Sequence, residues 1–281
     1  MKTLLYATNC KASTSNALSY AYSLSQKLNA TLIVLKVFDL PPYDHAILSK
    51  PLENVQKLAK QEQVDMVANF CKEHIGDDLE KMNIRPVARL NQSIIKGILF
   101  ALKEFQADLL MVGVKGEQSN RGIWASDIAK KLISKASTPV MVIPEYPFRE
   151  SIQRILYASD YEEMDITGIR RLIPLAKAFD AWIHIIHISE EGEYAATEQM
   201  EWFKQILQER VDYDKIKYEI VNSEALFYTL IMQIIENDAD IIAMLERNET
   251  SFFKGIFHQD LVKKMEDHLM TPLISFNKNI I

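Results

Sequence analysis

The chain has 281 residues, of which 48% are hydrophobic, and it contains only 8 glycines and 9 prolines. This composition is typical of a globular protein, and the length favours about two domains. The formal net charge of −6 comes from interspersed charges without a basic stripe, so we expect no binding to nucleic acid.

The sequence also argues against a membrane or a secreted protein. No apolar run reaches the roughly 18 residues that a membrane-spanning helix needs. The amino-terminal segment has only a brief apolar run, shorter than the core of a signal peptide. Cys10 and Cys71 are too few for a framework of disulfides. We therefore expect a cytoplasmic protein.

Short apolar strands alternate with amphipathic helices along the chain, which is typical of a parallel sheet with crossover helices. In the first half, strands are predicted at 3–8, 31–37, 84–89, 108–112 and 139–143, and helices at 14–28, 52–75, 93–105 and 126–136. In the second half, strands are predicted at 154–158, 182–188, 216–221, 240–245 and 272–276, and helices at 166–179, 194–211, 224–236 and 257–269. Pro174 lies inside the helix at 166–179 and is expected to kink it.

The second half of the sequence repeats the first in the same order. Leu5-Tyr6-Ala7-Thr8-Asn9 returns as Leu156-Tyr157-Ala158-Ser159-Asp160, and Thr138-Pro139-Val140 returns as Thr271-Pro272-Leu273. We interpret this as a tandem duplication. Domain 1 is predicted at residues 1–146 and domain 2 at 153–281, with the join at about 147–152.

The stretch from 108 to 144 has the strongest local signal for a binding site. An unbroken apolar run at 109–112, typical of a buried strand, is followed by Gly113 and Gly116. These glycines allow a tight turn and the close approach of a ligand, and a helix is expected to begin near Ser126. A strand that ends in glycines beside a helix N-terminus is a place where an α/β sheet can hold a phosphate.

These residues resemble the universal stress protein family. The resemblance covers the whole chain, once per half, and depends on the repeated strand–helix order, the openings LYATN and LYASD, the turn GVKG and the ending TPVMVIP. It implies an α/β fold of two tandem flavodoxin-like (adenine nucleotide alpha hydrolase-like) domains, each a five-stranded parallel sheet with helices on both faces. It also implies pairing or self-association through the last strands, 140–143 and 273–276.

Nucleotide-binding members of that family carry two glycines separated by two residues and, nine residues later, a glycine followed by Ser or Thr. In the first half, Gly113 and Gly116 match the paired glycines, but Ser126 and Asp127 occupy the later positions. We expect Asp127 to cap the helix and to repel a phosphate at its N-terminus.

The same family members place an Asp at the end of the first strand. Asn9 occupies that position in the first half and Asp160 in the second. In the second half, however, Met244-Leu245-Glu246-Arg247 replaces the glycine turn. Each half therefore retains a different part of the family's nucleotide site.

The resemblance implies a stress-response binding or regulatory protein that is not an enzyme, requires no cofactor and has degenerate nucleotide sites. ATP, AMP or another small ligand, if bound, would contact Asn9, Val37, Gly113, Gly116 and Ser126 in domain 1, and Asp160 in domain 2. One alternative is an ATP-binding protein with slow hydrolysis in domain 1. Another is a pure protein-interaction module, in which the glycines only shape the turn.

Other reactive side chains give weaker signals. Cys71 and His74 share a helix face at a spacing that suits two zinc ligands, but a structural site needs two more, so no metal is predicted. His184 and His187 are expected to face opposite sides of a strand, with His187 lining a cleft or lying at the edge of the core. Cys10 is the one candidate nucleophile at the ligand edge, and because spacing assigns it no base, no catalytic residue is predicted.

Overall fold

The computed structural model describes residues 1–40, 52–114, 123–146, 151–189, 196–246 and 271–277. In the first half, the strands are β1 (Thr3–Ala7), β2 (Thr31–Phe38), β3 (Ile84–Leu90), β4 (Leu109–Gly113) and β5 (Val140–Ile143). The helices are α1 (Ser15–Lys27), which follows a short 3-10 turn, α2 (Leu52–His74), α3 (Ile94–Glu104) and α4 (Ile123–Lys135).

The second half repeats this succession of elements. Its strands are β6 (Arg154–Ala158), β7 (Trp182–Ser189), β8 (Ile216–Asn222), β9 (Ile241–Glu246) and β10 (Leu273–Asn277). Its helices are α5 (Glu163–Phe179), α6 (Ala196–Arg210) and α7 (Leu226–Glu236). The predicted helix at 257–269 lies outside the described residues.

The ten strands form a single sheet in the order β3-β2-β1-β4-β5-β10-β9-β6-β7-β8. Neighbouring strands within each half are parallel, whereas β5 and β10 pair in antiparallel orientation with Leu273 opposite Val142. The last strands of the two halves therefore pair within the molecule, as predicted. Without this pairing, β5 and β10 would each be an exposed edge strand. The predicted α/β fold class is confirmed.

Side chains of the strands enter two cores, one on each face of the sheet, because successive residues of a strand point in opposite directions. On one face, Leu4 and Tyr6 of β1 pack with residues of α1 and α2. On the other face, Leu5 packs with residues of α3 and α4. Burial on both faces explains why the strands are apolar throughout.

Two helices of the structure begin earlier than the sequence predicted. α4 begins at Ile123 and has no acidic residue in its first turn, so the expectation that Asp127 caps this helix is wrong. Ile123-Trp124-Ala125 contains no helix breaker, and the helix extends back over it. α5 begins at Glu163 and runs past Pro174 to Phe179.

The strand order reverses once in each half. The chain leaves β1 for β2 on one side and later returns to β4 on the other, and β6, β7 and β9 repeat this arrangement. Open α/β sheets bind ligands at the carboxyl ends of the strands beside such a reversal. The fold therefore has two candidate ligand edges. One is formed by the residues after β1 and β4, and the other by the residues after β6 and β9.

Candidate functional site

In the first half, polar side chains shape the turn that follows β1. The side-chain Oδ1 of Asn9, which is exposed, accepts a hydrogen bond from the Lys11 backbone N–H at 3.1 Å. The Thr8 hydroxyl accepts one from the Cys10 N–H at 3.0 Å. Cys10 has a left-handed backbone with φ of 59°. The turn therefore presents Asn9 at the surface of the ligand edge.

Gly113, the last residue of β4, is needed because α1 passes close to it. A Cβ atom on Gly113 would lie 2.9 Å from the Cβ of Ala17 and 3.5 Å from the hydroxyl of Tyr6. The packing of a helix on a strand therefore explains this glycine without a ligand. Gly116, the second glycine of the predicted turn, lies outside the described residues.

Val37 occupies the neighbouring strand end, on the α3 side of the sheet. Its Cγ1 atom lies 2.6 Å from where a Cβ on Gly97 would stand, so Val37 is held against α3. Because β2, β1 and β4 are adjacent, the structure brings Val37, Asn9 and Gly113 to one edge of the sheet. Ser126 is the fourth residue of α4, at the end of its first turn.

In the second half, Asp160 is buried, with 8% of its surface exposed. Its backbone carbonyl accepts a hydrogen bond from Nε2 of Gln199 at 3.0 Å. Its Oδ1 atom lies 3.9 Å from Nδ1 of His187, which is itself 2.9 Å from the carbonyl oxygen of Ser159. The predicted nucleotide acid is therefore packed between α6 and β7, whereas its counterpart Asn9 lies at the surface.

Asp165, in the first turn of α5, organises the loop after β6. This fully buried carboxylate accepts hydrogen bonds from the Ser159 hydroxyl at 2.9 Å and from the backbone N–H groups of Asp160 and Glu162, both at 3.2 Å. Asp165 and Glu162 form a capping box. The sequence analysis missed Asp165, although an acid three residues after another acid at a helix start resembles the usual capping pattern.

Tyr161 fills the space between β7 and α6. Its ring is fully buried, with its centre 5.4 Å from that of His187 and 5.2 Å from that of Phe203. Its hydroxyl donates to the carbonyl of Glu219 at 2.9 Å, and burial raises its pKa. Sequence reasoning missed this residue too, and its repeat position in the first half is Cys10.

The two halves differ in charge at the strand ends. Glu246, which ends β9, and Asp160, which follows β6, are both buried carboxylates. The strand pairing places Val114 at the position of Glu246, and the repeat places Asn9 at that of Asp160. Two acidic groups therefore lie at the reversal in the second half, where the first half has neutral ones.

The remaining candidate groups do not form sites. Cys71 is fully buried, which raises its pKa to about 12, and the ring of His74 packs edge-on against Phe70 at 4.8 Å. His184 faces the side of the sheet opposite His187, as predicted, and lies 2.9 Å from Oδ1 of Asn237. Within the described ranges, no group of three or more His, Cys, Asp or Glu side chains is arranged to hold a metal ion. No helix in that part of the chain is long and apolar enough to cross a membrane.

Comparison with known proteins finds one matching family model and several solved structures of the same fold. The sequence model of the universal stress protein family matches residues 1–144. A universal stress protein from Archaeoglobus fulgidus superimposes with a TM-score of 0.68 at 15% identity, over 98% of each chain. A protein of unknown function from Pseudomonas aeruginosa gives a TM-score of 0.61 at 14% identity, over 99% of this chain and 92% of its own.

A third structure, the cytoplasmic domain of a prokaryotic cation chloride cotransporter, superimposes with a TM-score of 0.53 at 11% identity, over 99% of this chain and 96% of its own. No curated protein sequence matches the chain. At these identities the structural likeness establishes the fold alone.

Proposed function

The chain belongs to the universal stress protein family, and we propose that it is a non-catalytic binding or regulatory protein whose capacity for a small anionic ligand lies in its first half. The ligand class is an adenine nucleotide or another small acidic molecule. It would lie across the carboxyl ends of β1, β2 and β4, beside Asn9 and Val37. The Gly113–Gly116 turn and Ser126, in the first turn of α4, would then face its acidic group.

The difference in charge between the two strand reversals is the observation behind this proposal. Asp160 and Glu246 are buried carboxylates in the second half, whereas Asn9 and Val114 are neutral. Two unit charges of the same sign about 5 Å apart repel by about 3 kcal/mol at an effective dielectric constant of about 20. A phosphate at the second reversal would meet repulsion of this order from a neighbouring carboxylate.

The side chains that face the first ligand edge support binding without catalysis. Asn9 and Val37 have no group that takes up a proton near neutral pH. Burial raises the pKa of the Cys10 thiol, so it stays protonated and weakly nucleophilic. We therefore assign these three residues no catalytic role.

The experiment is a calorimetric titration of the full chain with ATP, AMP and adenosine, with and without Mg²⁺. We expect one nucleotide per chain. Gly116→Glu, which places a carboxylate in the predicted phosphate turn, should weaken ATP binding at least about tenfold, equivalent to about 1.4 kcal/mol. Adenosine should bind the variant as it binds the natural chain, because it has no phosphate to repel.

The matched control places the same charge in the second half. Asn248→Glu, at the repeat position of Gly116, should leave ATP affinity unchanged. Two nucleotides per chain, or a loss of affinity in Asn248→Glu alone, would contradict the assignment to the first half. If no heat of binding is detected up to millimolar ATP, the nucleotide proposal is wrong and the protein-interaction module is the remaining alternative. Phosphate release that exceeds that of the buffer would establish the hydrolytic alternative.

A further inference from the structure

A groove of about 590 Å³ follows the free edge of β3, the outermost strand of the first half. Its lining comes from the strand, from α2 and from the end of α3: residues 87–90, Glu53, Gln56, Lys57, Lys60 and Glu104. The two helices pack on opposite faces of the sheet, and the consecutive strand residues point their side chains to those faces in turn. The groove therefore exposes the backbone edge of β3 and not one face of the sheet.

Hydrogen bonds at the two ends of β3 show which of its backbone groups point to this edge. The carbonyl of Asn83 accepts a bond from the N–H of Leu32 at 3.0 Å, and the N–H of Asn91 donates to the carbonyl of Phe38 at 2.8 Å. The odd-numbered residues of this segment therefore face β2. Because backbone groups point to alternate sides along a strand, those of the even-numbered residues face the open edge.

Three residues of β3 thus present backbone groups at the open edge. Ala88 and Leu90, which line the groove, each offer an N–H and a carbonyl, and Pro86 offers only its carbonyl because proline has no N–H. In the part of the chain that the structure describes, none of these groups forms a hydrogen bond. An edge strand with such groups is a template for the addition of another strand.

One face of α2 forms the wall of the groove. Glu53, Gln56, Lys57 and Lys60 follow one another at spacings that place them on the same side of a helix. Lys57 and Lys60 are exposed, and within the described ranges neither side chain forms an ion pair or a hydrogen bond. Both ammonium groups are therefore available to an occupant of the groove.

The groove carries excess positive charge, although the whole chain has a net charge of −6. Arg89 forms an ion pair with Glu104, so these two charges of the lining offset each other. Lys57 and Lys60 then stand against Glu53 alone. An occupant with carboxylates near the two lysines is favoured.

The two lysines also suit the repeat of an added strand. Side chains on one face of a strand recur every two residues, roughly 6.6 Å apart. Lys57 and Lys60 are about 4.5 Å apart along the axis of α2. Because lysine side chains are long and flexible, they can reach carboxylates at alternate positions of a strand.

A second copy of this chain suits the edge less well than a peptide does. Antiparallel pairing of two β3 edges would keep both copies of α2 on the same face of the sheet. A second positively charged wall would then stand beside the first, and like charges repel. A segment without a helix of its own avoids this repulsion.

We propose that this groove binds an extended peptide with carboxylates at alternate positions, which adds to the sheet as a further strand beside β3. Its main chain would bond with Ala88 and Leu90, and its carboxylates would lie beside Lys57 and Lys60. In this mode of recognition the main-chain bonds give affinity and the alternate side chains give specificity. None of the residues assigned above to the nucleotide lines the groove, so the proposal does not depend on that site.

The test is a fluorescence-anisotropy titration of the full chain at low ionic strength, without nucleotide. The probe is the peptide Glu-Val-Glu-Val-Glu, with a fluorophore at its amino terminus and an amide at its carboxyl terminus. The comparison peptide is Lys-Val-Lys-Val-Lys with the same ends. The glutamate peptide should bind saturably, and the lysine peptide should bind at least about tenfold more weakly.

Methylation of single peptide nitrogens tests the strand geometry. Only alternate N–H groups of an added strand face β3. An N-methyl group on the central glutamate or on the valine after it should therefore act differently. One should weaken binding at least about tenfold, and the other should retain the affinity within about twofold. Loss with the glutamate indicates antiparallel addition, because the residue that bonds with Ala88 then points its side chain towards α2, and loss with the valine indicates parallel addition.

Two double variants locate the site. Lys57→Glu with Lys60→Glu should weaken binding of the glutamate peptide at least about tenfold. Lys72→Glu with Lys81→Glu makes the same change in net charge at exposed positions outside the groove, and it should retain the affinity within about twofold. A thermal melt of each variant checks that it is folded.

Four results would overturn the proposal. They are no saturation by the glutamate peptide, equal affinity for the two peptides, equal effects of the two methyl groups, and unchanged binding by the Lys57→Glu, Lys60→Glu chain. Sedimentation of the chain alone adds a fifth. A dimer that this double variant dissociates would identify a second copy of the chain as the occupant of the edge.

Discussion

Gly113 and Ala17 show how one missing methyl group sets the distance between a helix and a strand. In the second half the glycine at the corresponding contact lies in the helix, α5, and not in the strand. A Cβ on Gly168, the repeat position of Ala17, would lie 2.5 Å from the hydroxyl of Tyr157. Leu245, the strand residue at the position of Gly113, is large and buried. Both glycines therefore have a packing role that does not need a ligand.

The close approach of Gly113 and Ala17 predicts an energetic coupling between them. Gly113→Ala should lower the free energy of unfolding by about 1–3 kcal/mol, because the new methyl group would crowd Ala17. Ala17→Gly should cost about 1 kcal/mol on its own, since glycine disfavours a helix interior. The double variant should cost less than the sum by about 0.5–3 kcal/mol. Urea unfolding of all four chains measures this, and simple additivity would show that the two residues do not contact.

The residues that the sequence analysis missed are those whose roles depend on distant partners. Tyr161 contacts His187, Phe203 and Glu219, which lie 26 to 58 positions later in the chain. A tyrosine after a strand gives no local signal of such contacts. By contrast, the opposite orientations of His184 and His187 followed directly from the period of a strand.

At the scale of elements, α4 contacts both halves of the molecule. It precedes β5 in the chain, yet it also packs against β10. The side-chain amide of Asn277, at the end of β10, donates to the carbonyl of Ile133 in the last turn of α4 at 2.8 Å. Carbonyl groups there have no partner inside the helix, and Asn277 is buried, so this hydrogen bond connects the halves where water is excluded.

Removing that connection should be costly. Asn277→Ala should lower the free energy of unfolding by about 1–3 kcal/mol, because it leaves a buried carbonyl without this donor. Gln61→Ala is the matched control, since it removes a hydrogen bond of similar length, 2.9 Å to Asp65, on the exposed surface of α2. That change should stay within about 0.5 kcal/mol. Thermal unfolding compares them, and equal effects would show that the buried bond adds nothing.

The sequence predicted where most strands and helices begin and end, because polar residues flank each apolar run. The ends of β1 and β6 agree with the prediction within one residue. The start of α4 did not follow, since Ile123-Trp124-Ala125 is apolar and offers no capping side chain to mark a boundary. The antiparallel register of β5 with β10 was also beyond the sequence, because both strands are uniformly buried and apolar.

At the scale of the whole molecule, the two halves have the same fold and share a single sheet, but the residues at their strand ends differ in charge. The pairing of β5 with β10 at its centre places the two strand reversals on either side of the join. The proposed domain boundaries, 1–146 and 153–281, remain a prediction. Because the first reversal is neutral and the second acidic, we expect the two copies to have diverged in what they bind.

The most direct test of that expectation is a crystal structure of the full chain grown with ATP and Mg²⁺ at saturating concentration. The account predicts nucleotide density at the carboxyl ends of β1, β2 and β4, next to Asn9 and Val37. It predicts none at the ends of β6 and β9, where Asp160 and Glu246 are buried. Density for a nucleotide beside Asp160, with the first edge empty, would contradict it.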